Sequence, residues 1–250
     1  ENGWLWDMGA LDFAGGTVVH INAGIAAVAA AMMVGKRRNP GMESHNVPYV
    51  VLGAGLLWFG WFGFNGGSQL ALGSAADAAA MANVYVNTNM AACGGLVAAM
   101  TLASILYGKV DLTLALNGAL AGLVSITAGP DVGTPLQAIL IGAIGGILCT
   151  LAIPLLDKLK IDDVVGAISV HLVAGIWGTL VVGIPGLNGS GDFMTQLYGV
   201  VAIGLFVSIV SAVVWFILKA TVGLRPSEEE EMMGLDVSEL GMEAYPEFRN

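Results

Sequence analysis

The 250-residue chain is 56% hydrophobic and 11% charged, and it carries a formal net charge of −10. So few polar side chains cannot cover the surface of a water-soluble globule of this size, which excludes that class. The composition predicts an all-α polytopic membrane protein that lies in a lipid bilayer and has no nucleic-acid partner.

Seven apolar segments are long enough for helices that cross a hydrocarbon core of about 30 Å, each of which needs about 20 residues. They lie near residues 12–35, 48–67, 79–108, 111–129, 136–156, 164–184 and 197–220. Only the four residues from Gly108 to Asp111 separate the third segment from the fourth, so a short turn is expected there.

The first span begins with the run Asp12-Phe-Ala-Gly15-Gly-Thr-Val-Val-His20. A carboxylate at the middle of the bilayer would cost about 2.5–3.5 kcal/mol, so Asp12 should face protein or water near the outer end of the span. An aspartate at this position can also cap the beginning of the helix. A single histidine inside a helix ordinarily satisfies a hydrogen bond in the core, and His20 alone would indicate no more.

The second span ends with Trp61-Phe-Gly-Phe64-Asn-Gly-Gly-Ser68, and an aromatic cluster at a helix end is typical of the membrane interface. The two cysteines, Cys93 and Cys149, lie in apolar runs and should behave as small hydrophobic residues, so neither a disulfide nor a metal site is expected. Polar residues in spans three and four are expected to form hydrogen bonds between helices. They are Asn87, Thr88, Asn89 and Asn117.

The sixth span repeats the first, 151 residues later, as Asp163-Val-Val-Gly166-Ala-Ile-Ser-Val-His171. The shared pattern is D-x-x-G-x-x-x-V-H-x-x-A-G-I. The copies lie five crossings apart and therefore run in opposite directions, an inverted repeat of the kind that brings functional groups together near the midplane. We expect the neutral rings of His20 and His171 to meet, one donating a hydrogen bond to the other. Small residues should allow this approach, namely Gly16, Gly24, Ala167 and Gly175.

The repeat also predicts helices that precede residue 1. If the second copy ends a five-helix unit made of spans two to six, the first copy should end an equivalent unit. Four further helices are then expected upstream of the chain.

Basic residues set the predicted orientation. Under the seven-span interpretation all nine lie on one side, whereas the loops near 68–78, 130–135 and 185–196 have no Lys or Arg. The positive-inside rule then puts residue 1 outside and the C-terminus in the cytoplasm. The basic residues are Lys36, Arg37, Arg38, Lys109, Lys158, Lys160, Lys219, Arg225 and Arg249.

These motifs closely resemble the Amt ammonium transporters of the Amt/Mep/Rh superfamily. The runs that carry the resemblance are Gly9–Asn22, Gly60–Ser68, Asp162-Asp163, Val170-His171 and Thr221–Arg225. The resemblance covers essentially the whole chain, from the family's fifth helix to its cytoplasmic tail. It implies about seven helices that form the C-terminal part of an eleven-helix inverted-repeat fold.

The resemblance also implies roles for individual residues. His20 and His171 would be the twin histidines that line an ammonium pore, and Trp61 would be a pore-lining residue. Phe64 would be a gating phenyl, Ser68 a hydroxyl acceptor for the cation in an outer vestibule, and Asp12 a support for that cation site. Ammonium would be recruited there, deprotonated and passed through an apolar pore. The family's vestibule tryptophan would fall just before residue 1, and neither Trp4 nor Trp6 matches it.

The division into domains follows the change in composition near residue 222. Residues 1–222 would form the transmembrane transporter region, and residues 223–250 an acidic cytoplasmic regulatory tail, with eight acidic residues from position 227 onward. An acidic run is ordinarily only a solvated tail. By resemblance, the protein would be a homotrimer in the cell membrane, without a cofactor, and its tail would contact a PII-type signal protein.

Other functions are weighed against transport. An enzyme is not expected, because the chain has no H-E-x-x-H and no G-x-S-x-G motif. An ammonium sensor of the same family is a second hypothesis. A third is that these residues conduct nothing without the missing N-terminal helices.

Overall fold

The computed structural model of the chain describes residues 3–38 and 46–246, so Arg249 lies outside the described residues. All regular secondary structure in these two ranges is helical. A π-helical segment (Gly16–Ile21) leads directly into α2, and a second one (Ser169–Val173) leads into α7. The α-helices are α1 (Trp4–Asp7), α2 (Asn22–Val34), α3 (Val47–Gly67), α4 (Ala75–Tyr107), α5 (Leu112–Thr127), α6 (Pro135–Lys158), α7 (Ala174–Val181), α8 (Phe193–Thr221), α9 (Glu228–Met233) and α10 (Leu235–Leu240).

Each of the seven predicted spans corresponds to a helix, which confirms the all-α, multi-span membrane fold. Five helices in the described part of the chain are long and apolar enough to cross a membrane. The fourth and sixth spans are shorter than predicted, at Leu112–Thr127 and Ser169–Val181. The fourth ends early because Pro130 cannot continue a helix. The sixth begins late because Gly166 adopts a left-handed conformation (φ +77°).

The centre of the bundle is formed by α4, α5 and α6, whose backbones touch through glycines. A methyl group on Gly95 of α4 would collide with the backbone of Gly118 and Gly122 in α5. Methyl groups on Gly142 and Gly146 of α6 would collide in the same way with the backbone of α4. Small residues allow such close approach in lipid, where apolar burial alone does not drive helices together.

The loop that follows α5 is recessed below the beginning of α4. The side-chain amide of Asn87 donates to the carbonyls of Pro130 (2.9 Å) and Val132 (2.8 Å). Asn87 lies twelve residues after Ala75, which places these contacts about 18 Å from the beginning of α4. Backbone at this depth needs such partners, because lipid offers no hydrogen bonds.

The other polar residues of spans three and four also bond to neighbouring elements, as predicted. Thr88 accepts a hydrogen bond from the amide of Asn65 at 3.0 Å, and Asn89 accepts one from the Trp58 indole at 3.2 Å. Asn117 donates to the carbonyl of Val165 at 3.3 Å. These bonds hold α3 and α5 in register with their neighbours.

Ion pairs gather the tail and two loops at the end of the bundle that carries the basic residues. Glu231 of α9 accepts from the guanidinium of Arg225 at 2.7 and 2.9 Å and from the backbone N–H of Arg38 at 3.0 Å. These hydrogen bonds, led by that of Arg225, lower the pKa of Glu231 to about 2. Beside them Arg37 donates to both oxygens of Asp162, which lowers the pKa of that carboxyl to about 2.

Candidate functional site

The two copies of the repeat fold alike at their first residues. Asp12 accepts hydrogen bonds from the backbone N–H groups of Thr17 (3.1 Å) and Val18 (2.9 Å). Asp163 accepts from the N–H groups five and six positions further on, at 2.9 and 3.0 Å. Each carboxylate therefore caps the beginning of its helix, as the sequence predicted for Asp12.

A left-handed glycine and a π-helical turn follow each cap. Gly15 has φ +100° and Gly166 has φ +77°, a conformation that only glycine adopts without strain. The segments Gly16–Ile21 and Ser169–Val173 are then π-helical and contain the histidines. Single π-helical turns inside longer helices are often found at functional sites.

His20 and His171 form a pair at the crossing of the two repeats. Their Nδ1 atoms lie 3.1 Å apart, and their rings are nearly parallel, with an interplanar angle of 18°. His20 is 5% exposed and His171 is partly buried. A hydrogen bond at this distance needs one protonated and one unprotonated Nδ1. The Nε2 atom of His20 is buried and has no partner among the described residues.

Glycines set the spacing of the pair, but unequally in the two copies. A methyl group on Gly24 would lie 2.7 Å from the backbone nitrogen of Leu172, so α2 packs directly on the backbone beside His171. The equivalent Gly175 leaves more room, because its nearest neighbour would be the carbonyl oxygen of Gly16 at 3.3 Å. The pseudo-symmetry of the repeat is therefore closest at the caps and weaker at the helix crossing.

Two aromatic residues of α3 lie against His20. The Trp61 ring stacks on the imidazole with centroids 5.1 Å apart and an angle of 16°, and the Phe64 ring lies 5.6 Å away. The Trp61 indole also donates to the hydroxyl of Thr127 at 2.9 Å, which fixes its orientation. Trp61, His20 and His171 thus form one continuous row of rings, in which the two imidazoles meet edge to edge, with Phe64 at its side.

Asp12 and Ser68 meet in a separate cavity of about 430 Å³, at what we term the Ser68 end of the bundle. The Ser68 hydroxyl donates to the carbonyl of Phe64 at 2.9 Å, so this cavity lies one helical turn beyond the phenyl ring. The carboxylate of Asp12 has one oxygen, Oδ1, that is buried without a hydrogen bond from the described residues. The Ser68 end comprises segments 3–15, 68–77, 128–134 and 182–192.

Among the residues of this cavity that were not predicted from the sequence, two bear on its chemistry. Trp6 and Asp131 both line it with Asp12 and Ser68. Trp6 does not match the family's vestibule tryptophan, and the available signal for it is its position close to the first span. Asp131 is the only charged residue of the turn after α5, and that isolation was the signal available for it.

A third unpredicted residue, Gln196 of α8, is 1% exposed and holds the segment before Asp12. Its side chain accepts from the N–H of Leu11 (2.8 Å) and donates to the carbonyls of Leu11 (2.7 Å) and Thr179 (2.9 Å). The hydroxyls of Thr179 and Thr17 are themselves hydrogen-bonded at 2.8 Å. Gln196 and both threonines line a second cavity of about 170 Å³, which also includes Asp12.

The chemistry of the site is that of proton exchange and weak polar contact. The paired rings offer one hydrogen bond between them and one unpartnered nitrogen. In the described ranges no group of three or more His, Cys, Asp or Glu side chains has a geometry that could hold a metal ion. The arrangement can therefore pass a proton between two imidazoles beside an aromatic wall.

The fold and the site together define a helical membrane protein with an inverted internal repeat and a histidine pair where its two copies cross. A family model described as the Ammonium Transporter Family matches residues 1–245. The chain belongs to this family, as its resemblance to the Amt proteins predicted.

Individual relatives agree with this assignment. The ammonium transporter Amt1 of Archaeoglobus fulgidus is 40% identical over 97% of the chain and 64% of its own length. A solved structure titled Sensor Amt Protein has a TM-score of 0.86 and 40% identity, over 96% of this chain and 62% of its own. Candida albicans Mep2 has a TM-score of 0.82 and 33% identity, over 98% and 58%. The chain therefore spans about three fifths of the length of these relatives.

Proposed function

We propose that the protein transports ammonium across a membrane as neutral ammonia, past the pair formed by His20 and His171. The observation that carries this proposal is the contact between the two Nδ1 atoms at 3.1 Å, beside the aromatic rings of Trp61 and Phe64. Family membership and relatives named ammonium transporters support it.

Desolvation explains why ammonia rather than ammonium should cross the apolar stretch. Moving a bare cation into a medium of low dielectric constant is very costly unless its hydration is replaced, whereas neutral ammonia bears no such charge penalty. The proton therefore leaves before the histidine pair. Imidazole both accepts and releases protons, so the pair can carry the proton while ammonia passes beside the rings.

We assign the earlier steps to residues of the Ser68 end. The carboxylate of Asp12 and the hydroxyl of Ser68 attract and hold the cation in the 430 Å³ cavity. Phe64 lies one turn before Ser68 in α3, where it separates this cavity from the histidines and acts as the gate. Trp61 lines the pore and keeps the His20 ring in its plane by stacking. No cofactor takes part, and transport rather than enzymatic turnover is the activity.

The wider arrangement is part of the same proposal. The Ser68 end faces the outside of the cell membrane, and the end with the basic residues and the tail faces the cytoplasm, in line with the positive-inside rule. Residues 1–222 form the transporter region, and residues 223–250 are a regulatory tail that contacts a PII-type signal protein. The functional unit is a homotrimer.

Ammonium current in liposomes tests the proposal. The chain, and a form that also carries the sequence encoded upstream, are each measured with and without His20→Ala. Ser74→Ala is the control, because Ser74 only caps α4 at the Ser68 end. Transport predicts a current that His20→Ala abolishes or alters and that the control retains. Current from the longer form alone identifies these residues as one part of the pore.

A sensor is the second candidate, because one structural neighbour carries that title. A sensor binds ammonium without a sustained current. Ammonium-dependent protection of the tail from proteolysis, together with the absence of current from both forms, would favour it over transport.

A further inference from the structure

The Ser68 end of the bundle carries negative charges and no positive ones. Its segments, as defined above, contain no Lys, Arg or His. The described Lys and Arg residues lie at the opposite helix ends or in the segments beyond them, which alternate with these segments along the chain. Aspartates at this end are therefore not neutralised by nearby cations. They are Asp7, Asp12, Asp77, Asp131 and Asp192.

Most of these aspartates already have partners within the fold. Asp12 caps the first π-helical segment, Asp77 accepts from the hydroxyl of Ser74 at 2.8 Å, and Asp192 caps α8. Asp131 is exposed, and no described residue donates a hydrogen bond to it. It nevertheless lines the 430 Å³ cavity together with Asp12 and Ser68.

We propose that Asp131 is a second cation-attracting carboxylate of this cavity, which draws a small monovalent cation towards Asp12 and Ser68. The proposal rests on the proposed function, because it concerns how the transported cation enters. Recessed walls of low dielectric constant focus the field of a carboxylate and raise the local concentration of counter-ions.

The local potential can be measured without transport. Ser68→Cys is prepared in a form in which Cys93 and Cys149 are replaced by alanine, and its reaction rates with a cationic and a neutral thiol reagent are compared. The ratio of the two rates reports the potential in the cavity. Removal of one negative charge from the wall of this cavity should lower the ratio about two- to threefold in dilute buffer. The effect should nearly vanish in 1 M salt, where the Debye length is about 3 Å.

The matched variants are Asp131→Asn and Asp7→Asn. Both remove one negative charge from the Ser68 end, and both side chains lack partners among the described residues, but Asp7 does not line the cavity. We expect Asp131→Asn to lower the rate ratio by the full two- to threefold and Asp7→Asn to lower it less. Equal ratios for wild type and Asp131→Asn, or equal decreases for the two variants, would overturn the inference.

Transport provides the second measurement. Asp131→Asn should raise the ammonium concentration at half-maximal current about two- to threefold at low salt and leave the maximal current unchanged. If Asp131→Asn changes the potential in the cavity but the wild type carries no current, the proposed function is contradicted and the role of Asp131 stands. If the wild type carries a current but Asp131→Asn changes neither the potential in the cavity nor the ammonium concentration at half-maximal current, transport stands and the role of Asp131 is refuted.

Discussion

Asp12 and Asp163, which are 151 residues apart, hold the beginnings of their helices through the same two hydrogen bonds, to N–H groups five and six positions ahead. Asp12 also lines both cavities described above, and Asp163 lines neither of them. Both aspartates therefore share the capping role, and the cation-attracting role proposed for Asp12 can be tested separately from it.

Replacing each aspartate with asparagine makes this separation. Both capping bonds of Asp12 go to one oxygen, Oδ2, so the carboxamide of Asp12→Asn can accept both, and this variant should lose no more than about 1 kcal/mol of stability in thermal unfolding. The two bonds of Asp163 go to different oxygens, so Asp163→Asn keeps only one of them and should lose more, about 1–3 kcal/mol. Ammonium current should fall about tenfold in Asp12→Asn, because the cation loses its carboxylate, and less than about twofold in Asp163→Asn. Equal losses of current would mean that Asp12 acts only as a cap.

The two equivalent glycines should respond differently to alanine. Gly24→Ala forces a methyl group onto the backbone of Leu172, and such overpacking costs about 1–3 kcal/mol. Gly175→Ala meets its neighbours only at 3.3 Å or more, and the better helix propensity of alanine offsets much of that strain. We expect a lower melting temperature and less current for Gly24→Ala alone. The same response from both variants would show that the helix crossing is symmetric.

Gln196→Leu should destabilise the segment that leads to Asp12. The substitution leaves the part-buried N–H and carbonyl of Leu11 without their Gln196 partner, at a cost of about 1–3 kcal/mol. The control is Gln69→Leu, because the Gln69 side chain forms no hydrogen bond with the described residues. Hydrogen exchange at Leu11 and Asp12 should quicken in Gln196→Leu and stay unchanged in the control. Slow exchange in both variants would argue that the segment is held by other contacts.

Glu231→Gln should release the tail from the loop at Arg38. The neutral side chain weakens the hydrogen bonds with Arg225 and Arg38, so exchange in Glu228–Met233 should quicken about threefold or more. The neighbouring Glu229→Gln, which removes the same charge from the same turn, is the control. No difference between the two variants would assign the docking to other contacts.

The acid response of the tail follows from the pKa of Glu231. This pKa is lowered from 4.5 to about 2, so its contribution to docking is fully present above pH 4.5 and is lost as the pH falls through 2. Acidification from pH 7 to 5 should therefore leave exchange in α9 unchanged once the intrinsic rate is corrected. Release between pH 7 and 5 would point to another titrating group.

The histidine pair predicts two different tautomers. One Nδ1 must donate and the other must accept, so nitrogen chemical shifts should show one ring protonated at Nδ1 and the other at Nε2. His171→Ala should remove this constraint on His20. Two rings protonated at the same nitrogen would contradict the Nδ1 contact.

Much of the fold could be predicted from the sequence, because lipid demands long apolar helices and the repeat is explicit. The seven spans, the meeting of His20 and His171 and the capping by Asp12 all follow from pattern and spacing. The predicted spans begin earlier than the helices do. The signal was present, because the shared pattern has a glycine three residues after each aspartate, at Gly15 and Gly166. Left-handed backbone at these glycines stops the helix from extending back to the cap.

Other parts of the site could not be predicted, because they depend on contacts between distant residues. Gln196 bonds to Leu11 across 185 positions, and no local periodicity indicates such a pair. The π-helical turns likewise have no pattern of their own in the apolar run. Trp6 and Asp131 belong to the cavity only because a recessed loop brings them near Ser68.

The recessed loop after α5 has an electrical consequence. Asn87 holds this loop about 18 Å from the beginning of α4, so α4 extends well beyond Asp131 towards the Ser68 end. A cation beside Asp131 has then already crossed part of the membrane voltage, of which a full crossing is worth about 2.3 kcal/mol per 100 mV. Under the proposed transport function, occupancy of the cavity should therefore rise as the cell interior becomes more negative, and the rate of transport should depend on the membrane potential as well as on the ammonium concentration.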